Sequence, residues 1–348
     1  MKWTRRKVLV TGGASFIGSH LVEKLVQRRA QIRVADNFSS GTDENLGPTR
    51  GDIELASGDL RDRAFADKTM DDIDVVFHLA ASHGGRGYIS SHRADCSSNM
   101  VLDGVVFDSA QRASVAKLCF ASSACVYPKA LQSADNNRGK KKVFLSEEMA
   151  DPFIEGRAFA DEEYGWAKLM GEMSLRAYHE QYGLKGVSCR IFTAYGPREN
   201  ETHAVVALIA KAYIGMDPFQ VWGSGQQDRN FTYVDDIAEG LIRATERIED
   251  ASAINIGTEN HLKIIDLAQM IFEQMDFKPK SINFDTSRPE GVFSRAADLT
   301  KAKRLLEWEP KTSIDEGLKR TIDWYTSTHS LENVNKTLEK TLYERWVP

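Results

Sequence analysis

Tyr164 and Lys168 stand one helical turn apart in Tyr164-Gly165-Trp166-Ala167-Lys168. An apolar run rich in small residues, Phe120-Ala121-Ser122-Ser123-Ala124-Cys125-Val126-Tyr127-Pro128, precedes them. Side chains at i and i+4 share one face of a helix. The positive charge of a lysine beside a phenol favours the phenolate and lowers the tyrosine pKa. Tyr164 is therefore expected to take a hydroxyl proton while hydride leaves for a nicotinamide, with Ser123 holding the hydroxyl. Cys125 adds a thiol above the same reacting carbons, which points to proton removal from carbon as well as oxidation and reduction. The competing role for Cys125 is that of a small buried hydrophobe.

These residues need a scaffold that delivers a strand end and a helix start to one place. Residues 7–11 are a β-branched and apolar run that breaks at Gly12-Gly13-Ala14-Ser15-Phe16-Ile17-Gly18, after which Ile17, Leu21, Leu25 and Val26 fall at helical spacing. Strand, glycine turn and helix make a pyrophosphate site, because backbone amides and a helix N-terminus can approach the anion closely. Ser15 stands where such a turn usually has its middle glycine. Further strands are expected at 31–35 ending in Asp36, at 54–56 ending near Asp59, and at 75–79 ending in Ala80-Ala81. Asp36 would accept from ribose hydroxyls and repel a 2′-phosphate, favouring NAD over NADP. Asp59-Leu60 would lie near adenine, and Leu79, Ala80, Ala81 and Asn99 complete the cofactor set.

A helix at 99–111, a strand at 117–121, a helix at 163–182 and a strand at 187–192 continue the alternation. The fold class expected is α/β, a doubly wound parallel Rossmann sheet with a smaller C-terminal α/β lobe. Residues 1–192 would form the NAD-binding domain, with a returning segment near 230–257, and 193–348 mainly the substrate-binding domain. In the second part the spacing predicts helices at 204–213, 235–248, 264–275, 301–306 and 313–325, and short strands at 219–222, 231–234 and 254–257. The polar stretch 129–161 has little periodicity and is read as a lid over the cleft; 328–348 is read as a surface helix.

The chain of 348 residues carries a net charge of −5, and its one basic run, residues 138–142, reads as a solvated loop, so nucleic acid is not an expected partner. No apolar stretch approaches the ~20 residues that span a bilayer. The first strand begins too early to leave room for a signal peptide, so the protein is expected to be soluble and cytoplasmic, without membrane association. Cys96, Cys119, Cys125 and Cys189 lack metal-ligand spacing and read as reduced thiols, and no metal is expected.

Taken together, these residues are similar to the extended short-chain dehydrogenase/reductase family of nucleotide-sugar epimerases and dehydratases, over roughly residues 6–326. Within it, the resemblance is greatest to the GDP-mannose 3,5-epimerases. It rests on Leu79-Ala80-Ala81 followed by His83-Gly84-Gly85-Arg86-Gly87-Tyr88-Ile89, on the cysteine segment, on Trp222-Gly223-Ser224-Gly225 with Gln227, Arg229 and Phe231, and on Pro289-Glu290-Gly291-Val292 with Arg295.

The resemblance implies bound NAD that is regenerated in each turnover, a nucleotide-sugar substrate and a homodimer formed through the helices at 99–111 and 163–182. Tyr164, Lys168 and Ser123 would oxidise carbon 4, and Lys168 would also contact the nicotinamide ribose. Cys125 would exchange a proton on a carbon beside the transient ketone. The second proton carrier of that branch is a lysine; the corresponding position here is His203, in a shorter segment after Tyr195-Gly196-Pro197. Thr193 replaces a usual asparagine. Gly84, Gly85 and Arg86 would form the sugar loop, and Lys211, Gln227, Arg229 and Arg295 the diphosphate grip. A UDP- or GDP-hexose 4-epimerase with direct hydride return is the alternative. A 4,6-dehydratase lacks support, since Ala124-Cys125 supplies no acid to expel water. A non-catalytic NAD-binding protein is disfavoured by the presence of Ser123, Tyr164 and Lys168 together.

Overall fold

The computed structural model describes residues 1–137, 142–288 and 291–344. Most of the basic run (138–141), Pro289-Glu290 of the diphosphate motif, and Trp346 lie outside the described residues.

Seven strands form one parallel sheet: β1 (Lys7–Thr11), β2 (Gln31–Asp36), β3 (Ile53–Ser57), β4 (Val75–His78), β5 (Lys117–Ser123), β6 (Gly186–Ile191) and β7 (Asp250–Ile256). Their order is β7-β6-β5-β4-β1-β2-β3, so the strand order switches direction between β1 and β4. Ligands bind at the carboxyl ends of the strands beside such a switch point. β1, β4 and β5 read as nearly unbroken apolar runs because helices cover both faces. On one face lie α1 (Phe16–Gln27), through Leu21, Val22 and Leu25, and a helix at Val234–Arg247, through Ile237 and Leu241. The other face packs against α2 (Asn99–Arg112), through Val106 and Phe107, and α3 (Glu162–Tyr182), through Leu175. The outer faces of α2 and α3 leave Met100, Val101, Trp166 and Met170 exposed, on the two helices through which the resemblance implies a homodimer.

The strand expected at 254–257 is longer and extends the main sheet as β7, pairing in parallel with β6. Its period is hidden because Ile254, Asn255 and Ile256 are all buried, although β7 stands at the edge of the sheet. The remaining chain builds a second core from α4 (Ala204–Tyr213), α5 (Ile264–Gln274) and α6 (Ile314–Thr328), including Val206, Ile209, Leu267, Ile271 and Leu318. The helix expected near the C-terminus is α7 (Leu331–Glu344). It does more than lie on the surface, because Val334 and Leu338 are buried in that same core.

The expected lid at 129–161 is not one among its described residues. Leu145, Ala150 and Ala160 are buried in the main core. The Arg190 guanidinium, fixed on β6, donates to the carbonyls of Glu147 (2.7 Å) and Ala150 (3.1 Å), and Asn255 on β7 donates to the carbonyl of Leu145 (2.8 Å). A segment with little periodicity of its own is thus pinned by backbone acceptors that pair with buried side chains from two strands, a pattern invisible in hydropathy.

Candidate active site

The first turn is shaped by Gly12, which has φ +67° and whose added Cβ would stand 2.9 Å from the amide nitrogen of Ala80. Only glycine fits there. Ser15, at the mouth of α1, donates its hydroxyl to the carbonyl of Gly12 (2.5 Å), so the side chain that replaces the middle glycine folds onto the turn. Asp36 at the end of β2 accepts from the amides of Ala14 (2.9 Å) and Phe38 (2.8 Å). Burial pushes its pKa up, opposed by these amides.

A cavity of about 240 Å³ beside this turn is lined by Gly12, Ser15, Asp36, Asp59, Leu60, Leu79, Ala80, Ala81 and Asn99. Asp59 is less free than expected: Arg61 holds both its oxygens, with a bond of 2.5 Å to Oδ2, and lowers its pKa. Asn99 shapes the wall by a reciprocal pair of bonds with the backbone of Ser82 (2.7 and 2.9 Å). Beneath it, Thr11 Oγ1 accepts from the amides of Leu79 and Ala80 (3.1 Å each) and meets His78 Nδ1 at 2.8 Å, and His78 Nε2 meets Asp103 at 3.0 Å.

This cavity adjoins a cleft of about 840 Å³, into which Ser15, Phe16 and Ile17 also open. Gly18 lies behind the turn, buried. Two close approaches bring β5 and α3 together at the cleft floor. A Cβ on Gly165 would lie 2.3 Å from the carbonyl of Cys125, and one on Gly171 would lie 2.4 Å from the Phe120 ring. Small residues at these points let Tyr164 and Lys168 descend onto Ser123, which is hydrogen-bonded to the Tyr164 phenol. Ser123 Oγ also accepts from the amide of Cys125 (3.1 Å).

Contrary to the sequence expectation, the phenol of Tyr164 is raised, first by burial, with the Ser123 hydrogen bond acting in the opposite direction. Lys168 is itself desolvated, which pushes its pKa down. Its Nζ lies 4.7 Å from the Phe120 ring centroid and 6.0 Å from that of Tyr164. A buried ammonium at that separation does not offset the cost of burying a phenolate.

Cys125 is 7% exposed and lines the cleft, its Sγ 3.7 Å from Arg295 Nη1. Arg295 also donates to Gln132 (2.5 Å) and lies 3.5 Å from Asp161. Arg86 and Lys129 reach the same buried carboxylate at 2.9 and 3.0 Å. Burial acts to raise Asp161, but these three cations leave it below the usual carboxylate range. Asp161 was not anticipated from the sequence; the available signal was its position at the cap of the helix that begins just before Tyr164.

The far wall carries Gly84, Gly85, Thr193, His203, Arg229 and the unanticipated His83, Glu199, Glu201 and His329. Lys211 and Gln227 do not line the cleft. Gln227 Nε2 donates to the carbonyl of Trp222 (3.0 Å), and Lys211 Nζ donates to that of Gln220 (3.0 Å), 5.6 Å from the centre of the Trp222 ring. Both are held on carbonyls of the strand Phe219–Trp222, which take the bonds expected for phosphate.

Burial pushes Lys211 down to about 8. The unfolded chain keeps a lysine protonated up to about pH 10.4. Folding therefore carries the cost of the buried charge below pH 8, and stability rises between the two values as the folded state sheds a proton that the unfolded state keeps. Lys211→Met is expected to stabilise the protein by about 1–3 kcal/mol at pH 7 and to flatten this rise. Urea unfolding at pH 7 and 9.5 checks it, and a destabilised variant would show that the bond to Gln220 outweighs desolvation.

Fold and site together define a dinucleotide-binding α/β protein with a serine, tyrosine and lysine cluster at the floor of a large cleft. The chain belongs to the NAD dependent epimerase/dehydratase family, whose model matches residues 8–257. It is similar to the GDP-mannose 3,5-epimerase of Arabidopsis thaliana, with 29% identity over 324 residues, 91% of this chain and 81% of that protein. A putative UDP-glucose 4-epimerase of Methanocaldococcus jannaschii is 28% identical over 337 residues, 95% of this chain and 100% of that protein. The crystal structure of UDP-glucose 4-epimerase from Thermotoga maritima, with UDP-glucose, matches at a TM-score of 0.81 and 29% identity, covering 92% of this chain and 99% of that one. The cofactor is NAD, and the residues present suit it: a turn that admits no Cβ at Gly12 and an anchored carboxylate at Asp36. Among the described residues no helix is long and apolar enough to cross a membrane, and no cluster could hold a metal ion.

Proposed function

We propose that the protein is a nucleotide-sugar epimerase that acts on GDP-mannose or a close analogue through a transient 4-keto sugar, with proton exchange on the neighbouring carbons. The observation that carries this reading is that Cys125 and His203 line the same cleft as Tyr164 and Ser123. NAD, held by the Gly12–Gly18 turn, Asp36 and the Leu79-Ala80-Ala81 loop, supplies the hydride acceptor and donor for carbon 4. Bound NAD would place the positive nicotinamide ring beside the buried phenol and, with Lys168, favour its phenolate; in that form Tyr164 takes the proton of the 4-hydroxyl, and Ser123 holds that hydroxyl in line. Lys168 contacts the ribose.

A ketone at carbon 4 acidifies the hydrogens on carbons 3 and 5. Cys125 removes one of them, and the Arg295 guanidinium beside Sγ supplies the counter-charge that a thiolate base needs. His203 serves as the second proton carrier. Gly84 and Gly85 shape the sugar loop, Arg86 and Arg229 face the diphosphate with Arg295 nearby, and Lys211 and Gln227 support that side through their bonds to the strand Phe219–Trp222. The cytoplasm suits the chain, because the buried sulfurs of Cys119 and Cys189 stand 3.7 Å apart as thiols.

A second reading, a hexose 4-epimerase with direct hydride return, is favoured by one observation: His203 and Thr193 stand where the 3,5-epimerase branch has lysine and asparagine. Incubation with GDP-mannose, and then with a panel of UDP- and GDP-sugars, in deuterated water separates the two by NMR. Deuterium entering at carbon 3 or 5 is the expected result. Inversion at carbon 4 without deuterium would replace this reading with the second.

A further inference from the structure

His203 leads into α4 from a tight loop. Asn200 Oδ1 accepts from the amide of Thr202 (3.0 Å) and from its hydroxyl, and the amide of His203 donates to the carbonyl of Asn200 (3.3 Å). The opposite loop presses against this one. A Cβ on Gly85 would lie 2.1 Å from the carbonyl oxygen of Thr202, and the His83 ring centre stands 6.4 Å from that of His203. The loop therefore has little room to shift.

Behind the imidazole stands Glu199. Its Oε1 lies 3.6 Å from His203 Nδ1, the residue is 5% exposed, and it lines the cleft. Its other oxygen, Oε2, is buried with no hydrogen-bond partner among the described residues. Burial raises the carboxyl well above the usual range.

We propose that Glu199 is the positioning residue and proton source of His203, turning Nε2 toward the sugar and refilling the imidazole through Nδ1. The inference rests on the epimerase reading above and assigns a residue that reading does not use. In the step, the carbon–hydrogen bond beside the ketone breaks and its proton forms an S–H bond on Cys125, leaving the electron pair on the enolate. The enolate then takes the Nε2 proton of His203 on the other face. The Glu199 carboxyl proton moves to Nδ1 as the Nε2 proton leaves; water then protonates Nε2, the Nδ1 proton returns to the Glu199 carboxylate, and Cys125 returns its proton to water.

The test compares the full-length protein with its E199Q and H203Q variants on GDP-mannose in deuterated water. E199Q keeps the shape of the carboxyl and loses its proton. Deuterium entry at carbons 3 and 5 is expected to fall about 10²-fold in E199Q, close to the level of H203Q. The KM for GDP-mannose and the oxidation of carbon 4, read as NADH absorbance, are expected to stay within about twofold, a split that a folding defect would not produce. Histidine-labelled protein provides a check that needs no variant to fold well. Its ¹⁵N spectrum, with His203 assigned by its loss in H203Q, should show Nε2 carrying a proton in the unsubstituted protein. A neutral ring protonated only at Nδ1, or wild-type deuterium entry in E199Q, overturns the role of Glu199 while the epimerase reading stands. Oxidation of carbon 4 with no deuterium entry in the unsubstituted protein overturns the epimerase reading, and Glu199's role with it.

Discussion

Tyr164→Phe is expected to lower turnover by about 10²–10⁴-fold, the contribution of a positioned proton carrier, with the fold and the NAD content unchanged. The phenol is enclosed between β5 and α3 and hydrogen-bonded to Ser123, and burial raises its pKa. Phenylalanine fills the same space, so the loss is confined to one hydroxyl and costs about 1 kcal/mol of stability. It removes the group that takes the proton from the sugar hydroxyl. Lys168 cannot substitute, because its Nζ packs over Phe120, and the Ser123 hydroxyl has no base of its own. NADH absorbance on mixing with GDP-mannose and NMR of the sugar product measure the effect, and NAD released on heating shows that the cofactor site is intact. Turnover within tenfold of wild type would remove Tyr164 from the chemistry and leave the protein a dinucleotide binder.

Arg190→Met should give the largest loss of stability, about 3–5 kcal/mol, the usual cost of removing one partner from a buried ion pair. Arg190 is 1% exposed and meets Glu172 at 2.7 Å, the carbonyls of Glu147 and Ala150, and the Tyr127 hydroxyl at 3.3 Å. Glu172 also accepts from Ser122, next to Ser123 on β5. Methionine would leave a carboxylate buried without its cation and two backbone carbonyls without donors, and it would free the 142–161 segment that ends at Asp161. Urea unfolding measures the cost. Replacing both partners, Arg190→Met with Glu172→Leu, should recover part of it, because the unpaired charge is then gone. If the single variant were as stable as the wild type, the network would not be what holds that segment down.

The arginine network also explains where the sequence could be read and where it could not. Local chemistry made the cofactor end legible: a glycine turn follows the first strand and opens a helix, Asp36 ends a strand, and Tyr164 and Lys168 share a helix face through spacing alone. Strand and helix periods along the first part of the chain gave the parallel sheet for the same reason, since each depends on neighbours in sequence. Residues whose roles depend on distant partners stayed hidden. Asp161 reads as a helix cap, but in space it is the common partner of Arg86, Lys129 and Arg295. Glu199 reads as a loop acid, but in space it is buried 3.6 Å from His203 Nδ1.

Lys211 and Gln227, carried into the diphosphate grip by a resemblance in sequence, bond the carbonyls of Gln220 and Trp222 and do not line the cleft. The sequence by itself determined the fold class, the cofactor and the grouping of Ser123, Tyr164 and Lys168, because turn geometry, strand ends and i, i+4 spacing are set within a few residues. Only the tertiary structure decided that the 142–161 segment is a pinned wall, that burial raises the Tyr164 phenol, and which charges surround Cys125 and His203. Burial and long-range pairing set those properties, and neither exists until the chain has folded.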